Sequence, residues 1–98
     1  MAFYGIFSKW TEQGYKHLKD SPARIDNFKQ AARNAGGEVK QVFVVMGGDF
    51  DTISLVSAPN DEAIAKIALS LCALGNVSTK TLRLFNEEEA KKLLTTLP

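Results

Sequence analysis

An α+β fold, with the chain running β-α-β-β-α-β and closing on a further helix, is predicted by three observations. Segments rich in β-branched and aromatic residues alternate with two stretches of helical periodicity. Glycine- and proline-containing turns bound those segments. A length of 98 residues leaves room for one small core, so residues 1–98 are read as a single domain. Two right-handed crossovers then put both main helices on one side of a four-stranded antiparallel sheet, the split βαβ pattern of ferredoxin-like folds.

The first strand is read at Ala2–Lys9, AFYGIFSK, with apolar residues on both faces and Gly5 weakening its middle. Trp10–Asp20 is polar with scattered aromatics, either a loop or a loop containing a short helical turn, and Gly14 argues against a long helix. Ser21-Pro22 starts the first main helix: the serine oxygen suits an orphan amide, and proline at the first helical position gives up no hydrogen bond. Ile25, Phe28, Ala32 and Ala35 follow at helical spacing, and Gly36-Gly37 supplies the exit.

Glu38–Met46 is the second strand, with Val42, Val44 and Met46 on one face and Phe43 and Val45 on the other. Gly47–Asp49 joins it to a third strand, roughly Phe50–Ala58, as a hairpin. Asn60 caps the second main helix, whose first turn carries Asp61 and Glu62, whose buried stripe is Ile64, Ile67, Ala68, Leu71 and Leu74, and which Gly75 ends. Asn76–Phe85 alternates as the fourth strand. Asn86 and Glu89 form a capping box for a terminal helix that packs through Ala90, Leu93, Leu94 and Leu97. Because the first two strands are apolar on both faces, the helix-free side of the sheet is an apolar patch, and such patches mark interfaces. The chain is therefore expected to associate with itself, as a homodimer or a higher oligomer.

Composition excludes several partners. A net charge of +1 offers no field for nucleic acid or an anionic membrane, and no apolar run is long enough to span a bilayer. RNA-recognition domains share the topology, but EVKQVFVVM and DTISLVSA lack their basic stretch and exposed aromatic pair. The single cysteine, Cys72, makes no internal disulfide and is read as a small buried hydrophobe. With no basic stretch ahead of its first apolar residues, the chain is expected to be soluble, untargeted and cytoplasmic.

Five segments, WTEQG (Trp10–Gly14), KDSPAR (Lys19–Arg24), MGGDFD (Met46–Asp51), SAPNDEA (Ser57–Ala63) and ALGNVSTKTLRLF (Ala73–Phe85), together resemble the GYD domain proteins, a family named for a Gly-Tyr-Asp signature. The resemblance covers nearly the whole chain in motif order. It implies a ferredoxin-like domain of the kind that assembles into dimeric α/β barrels, and it implies no activity. The chain departs from the signature at Gly48-Asp49-Phe50-Asp51, where a residue separates glycine from an aromatic that lacks a phenolic hydroxyl.

Candidate site residues fall in two places. Gly47, Gly48, Asp49 and Phe50 read as a turn, while Asp49 and Asp51 also read as carboxylates at a cleft mouth, usable as a general base where desolvated. The connection from Trp10 to His17 offers Thr11, Glu12, Gln13, Tyr15 and Lys16 beside an aromatic wall, and reads either as a pocket or as a solvated surface loop. With one histidine and one cysteine no zinc site forms within the chain; a carboxylate site for a hard cation from Glu12, Asp49 or Asp51 across an interface stays open. No nucleophile elbow, phosphate loop or cofactor motif is present. Three functions remain: a small-molecule-binding module walled by Trp10, Phe50 and Phe28, with Thr11, Glu12 and Asp51 as further ligand contacts; a cofactorless monooxygenase or isomerase in which His17, Glu12 or Asp51 handles a proton; and a structural or regulatory assembly domain.

Overall fold

The first strand governs the layout because it pairs along both of its edges. The computed structural model describes all residues, Met1–Pro98. Its elements are β1 (Ala2–Trp10), α1 (Glu12–Lys16), a single 3-10 turn (Leu18–Asp20), α2 (Ser21–Asn34), β2 (Glu38–Val44), β3 (Thr52–Ala58), α3 (Asp61–Ala73), β4 (Val77–Leu84) and α4 (Glu87–Thr95). The strands form one antiparallel sheet in the order β2-β3-β1-β4, the ferredoxin-like arrangement that the sequence predicts. No helix is long and apolar enough to cross a membrane.

Residues facing each other across an antiparallel pair share a face of the sheet, so the register sorts the side chains. Tyr4 lies opposite Val56 and Arg83, Ile6 opposite Ser54 and Thr81, and Ser8 opposite Thr52 and Thr79. This is the helix side. Its core joins Tyr4, Ile6, Val56 and Ala58 to Phe28 and Ala32 of α2 and to Ala63, Ile64 and Ile67 of α3. The other side carries Phe3, Phe7, Ile53, Leu55, Leu82 and Leu84, with Phe43 beside Ile53 on β2. Phe43 and Leu82 keep 53% and 54% of their surface open. Gly5 lets the Phe7 ring lie against the strand, since a Cβ there would stand 2.9 Å from Phe7 Cε2.

A bulge between Val39 and Gln41 breaks the alternation of β2. It puts Val39 and Val42, three residues apart, on the same helix side, opposite Val56 and Ser54. Simple alternation would separate them. The hairpin is narrower than its predicted strands: β2 stops at Val44 and β3 starts at Thr52, with the Val45 amide donating to Asp51 O at 2.7 Å. Gly47 and Gly48 take φ of +85° and +92° in open space, so backbone conformation rather than crowding calls for glycine.

Four local expectations are corrected. The terminal helix is not packed through its leucines: Leu93, Leu94 and Leu97 are all exposed. Ser21 is no cap; it is already helical, because the turn at Leu18–Asp20 runs directly into α2, and its hydroxyl accepts from Arg24 instead. Leu74 sits at the C-cap of α3 and is 55% exposed, outside the buried stripe. Cys72 is half-buried, with its sulfur 3.1 Å from Thr79 Oγ1, because the last turn of α3 reaches past the packed core. The capping box of α4 is present: Asn86 Oδ1 accepts from the Glu89 amide at 2.8 Å and Glu89 Oε1 accepts from the Asn86 amide at 3.0 Å.

The Asn86 amide, with Arg83 as a second partner, holds the Glu89 carboxyl below its ordinary value of 4.5. A lowered folded-state pKa contributes stability above the unfolded value and loses it as pH falls through the folded one. Acidification below about pH 4.5 is therefore expected to fray α4 before the sheet opens. Amide exchange followed by NMR checks the order; simultaneous loss of both would contradict it.

Candidate functional site

Trp10 stands at the end of β1, and three sets of hydrogen bonds fix the chain around it. Thr11 caps α1, accepting from the Gly14 amide at 3.2 Å, while its own hydroxyl donates to Gly75 O at 2.6 Å and its amide to Asn76 O at 3.0 Å. Gln13 Nε2 donates to Leu74 O at 3.1 Å and to Asn76 Oδ1 at 3.0 Å. α1 is thus stapled to the turn between α3 and β4. Gly14 permits the approach, since a Cβ there would lie 2.1 Å from Asn76 O.

Asp51 supplies the third set. Its amide donates to Ser8 O at 2.8 Å, and its carboxylate accepts from the Trp10 amide at 2.9 Å and from the Tyr15 hydroxyl at 3.3 Å. Tyr15 in turn meets the Trp10 ring edge-on at 5.6 Å. Asp51 therefore closes the end of β1 and orients the aromatic pair.

Beside Trp10, between the sheet, α2 and the end of α3, lies a cavity of about 80 Å³. From the sheet, Ser8, Ser54 and Thr52 set three hydroxyls among Val42, Val44 and Val77, and the two serines are 2% and 5% exposed. Trp10, Ile25, Phe28 and Leu71 supply apolar lining. Arg24 lines it from the first turns of α2, half-buried, with Nη1 donating to His17 O at 3.0 Å and Nη2 to Ser21 Oγ at 2.9 Å.

The sequence-predicted residues separate. Trp10 and Phe28 line this cavity together. Phe50 packs against Phe7 on the opposite side of the sheet, centroids 5.3 Å apart, with the Lys80 ammonium 6.0 Å above its ring. Thr11 spends its hydroxyl on the backbone, and Glu12 is exposed in an ion pair with Lys16 at 3.3 Å. His17 is exposed with Nδ1 3.9 Å from Asp20 Oδ2, and its contribution beside the cavity is the carbonyl that accepts from Arg24. Asp49 is exposed in the hairpin. No group of three or more His, Cys, Asp and Glu side chains is close enough to hold a metal ion. Sequence reasoning missed Ser8, Ser54, Thr52 and Arg24. The available signal was serine at inward-facing strand positions, where alternation calls for apolar residues.

An antiparallel βαββαβ sheet with a cavity under its helices defines a ferredoxin-like α+β domain with a cleft on its helix side. The chain belongs to the GYD domain family, whose match runs over residues 4–94. Among solved structures it is similar to the leucine response regulatory protein of Mycobacterium tuberculosis, at 16% identity and TM-score 0.64 over 87% of this chain and 51% of that one. The feast or famine regulatory protein of M. tuberculosis, solved with L-methionine, is similar at 16% identity and TM-score 0.66, over 88% of this chain and 51% of that one. A protein of Thermus thermophilus is similar at 19% identity and TM-score 0.56, over 88% of this chain and 95% of that one. The chain thus spans about half the length of the mycobacterial regulators, and at these identities the likeness is one of fold. No curated protein matches it.

Gly14→Ala is expected to destabilise the chain by about 2 kcal/mol, because the added methyl meets a backbone oxygen that the staple holds in place; urea unfolding measures this, and an unchanged midpoint would contradict it. The phenols give a pH prediction. Burial raises the Tyr4 pKa above the ordinary 10.0, partial desolvation raises that of the half-exposed Tyr15, and the Asp61 and Asp51 carboxylates beside them add to it. Raised folded-state values bring stability that is complete below the unfolded pKa and lost as pH rises through the folded one. The urea midpoint should therefore fall above about pH 10, and Tyr15→Phe should make the fall shallower.

Proposed function

We propose that this chain is a self-associating small-molecule-binding domain whose ligand occupies the cavity beside Trp10. The observation that carries this reading is a mostly apolar cavity in which Ser8, Ser54 and Thr52 place three hydroxyls, since ligand sites are mostly apolar with a few placed polar groups. Serine and threonine hydroxyls each donate and accept, so those that line the cavity can hydrogen-bond a polar atom of a ligand. The methionine complex of the feast or famine regulator supports small-molecule binding on this fold. The open sheet side, with Phe3, Phe7, Phe43, Ile53, Leu82 and Leu84, supports association through facing sheets. Binding is preferred to cofactorless oxygenase or isomerase chemistry because His17, Glu12 and Asp51 all stand outside the cavity lining.

Trp10 is the chain's single tryptophan and lines the cavity, so it is a built-in reporter. A metabolite library screened by melting temperature and tryptophan emission is expected to yield a ligand that moves both, with stabilisation of about 2.7 kcal/mol at a hundred times Kd. Ser54→Leu, which fills the floor, should abolish the response in a chain that still folds. Hits indifferent to Ser54→Leu would place the site elsewhere, and silence across the library would favour an assembly role. Light scattering on the same sample should give a mass above one chain; a monomer would refute association.

A further inference from the structure

The cavity has an unbalanced charge. Arg24 is the only charged residue that lines it, and it takes part in none of the ion pairs that other lysines and arginines of the chain make. Its two hydrogen bonds go to neutral oxygens, the His17 carbonyl and the Ser21 hydroxyl, so N–H donors of its guanidinium remain for another acceptor. A half-buried guanidinium without a counter-ion, next to apolar walls, is a place where a carboxylate gains more than it would in water. No aspartate or glutamate lines the cavity, so a ligand ammonium would enter without a countercharge.

Size restricts the rest of the ligand. The cavity holds about 80 Å³, so the apolar part that it covers is only a few carbons long. A short apolar chain would lie against Ile25, Phe28 and Leu71. Serine and threonine hydroxyls at the floor add hydrogen bonds for one further polar atom.

Resting on the binding site proposed above, we infer that its ligand class is a short-chain apolar monocarboxylate without an α-ammonium group, its carboxylate on Arg24 and its chain over Ser8 and Ser54. This separates the chain from its methionine-bound structural neighbour. An amino acid brings an ammonium that this cavity has no residue to neutralise.

The test is titration of the 15N-labelled full chain, at constant ionic strength, with isovalerate, free valine, isoamyl alcohol and phenylacetate. Isovalerate is expected to shift the amides of Ser8, Ile25 and Ser54 saturably. Valine, which adds the ammonium, and isoamyl alcohol, which removes the carboxylate, should each bind at least about tenfold more weakly, the worth of a charge-assisted hydrogen bond. Phenylacetate should leave those amides unmoved. Arg24→Gln should weaken isovalerate by about tenfold while leaving the alcohol's affinity unchanged. If Arg24→Gln loses spectral dispersion, Arg24→Lys takes its place and should weaken isovalerate relative to the native chain while still preferring it to the alcohol. The inference is overturned if valine or the alcohol binds as tightly as isovalerate, if the ring compound is preferred, or if none of the four moves these amides. Library hits that move the same amides in that last case would sink the monocarboxylate class alone; no hit at all would sink the binding site with it.

Discussion

Asp51 holds together three parts of the chain that are far apart in sequence. Its amide ties the start of β3 to the Ser8 carbonyl, its carboxylate takes the Trp10 amide, and the same carboxylate receives the Tyr15 hydroxyl from α1. A carboxylate accepts several donors at once, and hydrogen bonds to charged groups are stronger than neutral ones. The position where β1 turns into α1 is thereby set, and with it the direction of the Trp10 ring. From there α1 reaches the α3–β4 turn, where the Gln13 amide and the missing side chain of Gly14 allow close docking. An aspartate that sequence reasoning offers as a candidate base is, in the folded chain, occupied by backbone and phenol donors.

The sheet shows how one set of strands serves two environments. Ile6 and Val56 are fully buried under the helices, while Phe3 and Phe7 on the same β1 strand point to the opposite side. The helix side also grades along the strands, from the packed core at Tyr4, Ile6 and Val56 to the hydroxyls of Ser8, Ser54 and Thr52 at the end near Trp10. Burial of apolar area stabilises the first region. The second contributes less to that core and leaves a cavity.

Much of the architecture was legible in the chain itself. β-branched runs, the helical spacing of Ile25, Phe28 and Ala32, the capping residues Asn60 and Asn86, and glycines at Gly36, Gly47, Gly48 and Gly75 with positive φ all act locally. The five motif segments carried the family resemblance in the same way. Boundary errors arose where a distant partner decides the outcome: Trp10 stays in β1 because it pairs with Val77, and Ser21 is helical because the preceding turn feeds α2. The candidate site was legible only in part. Trp10 and Phe28 do meet at the cavity, but Phe50 lies across the sheet from them, because the hairpin delivers it to the Phe7 side.

The sequence by itself determined the element order, the ferredoxin-like topology and the apolar character of both sheet faces, since periodicity and turn chemistry are properties of neighbouring residues. Tertiary structure alone decided which polar side chains converge. The bulge at Lys40 that brings Val39 and Val42 to one side, the pairing of Ser8 with Thr52, and the seat of Arg24 beside that floor each depend on the register between segments remote in the chain. Hydrophobic pattern and turn geometry constrain register within a hairpin, but between strands remote in the chain it is settled only when the shared face is buried.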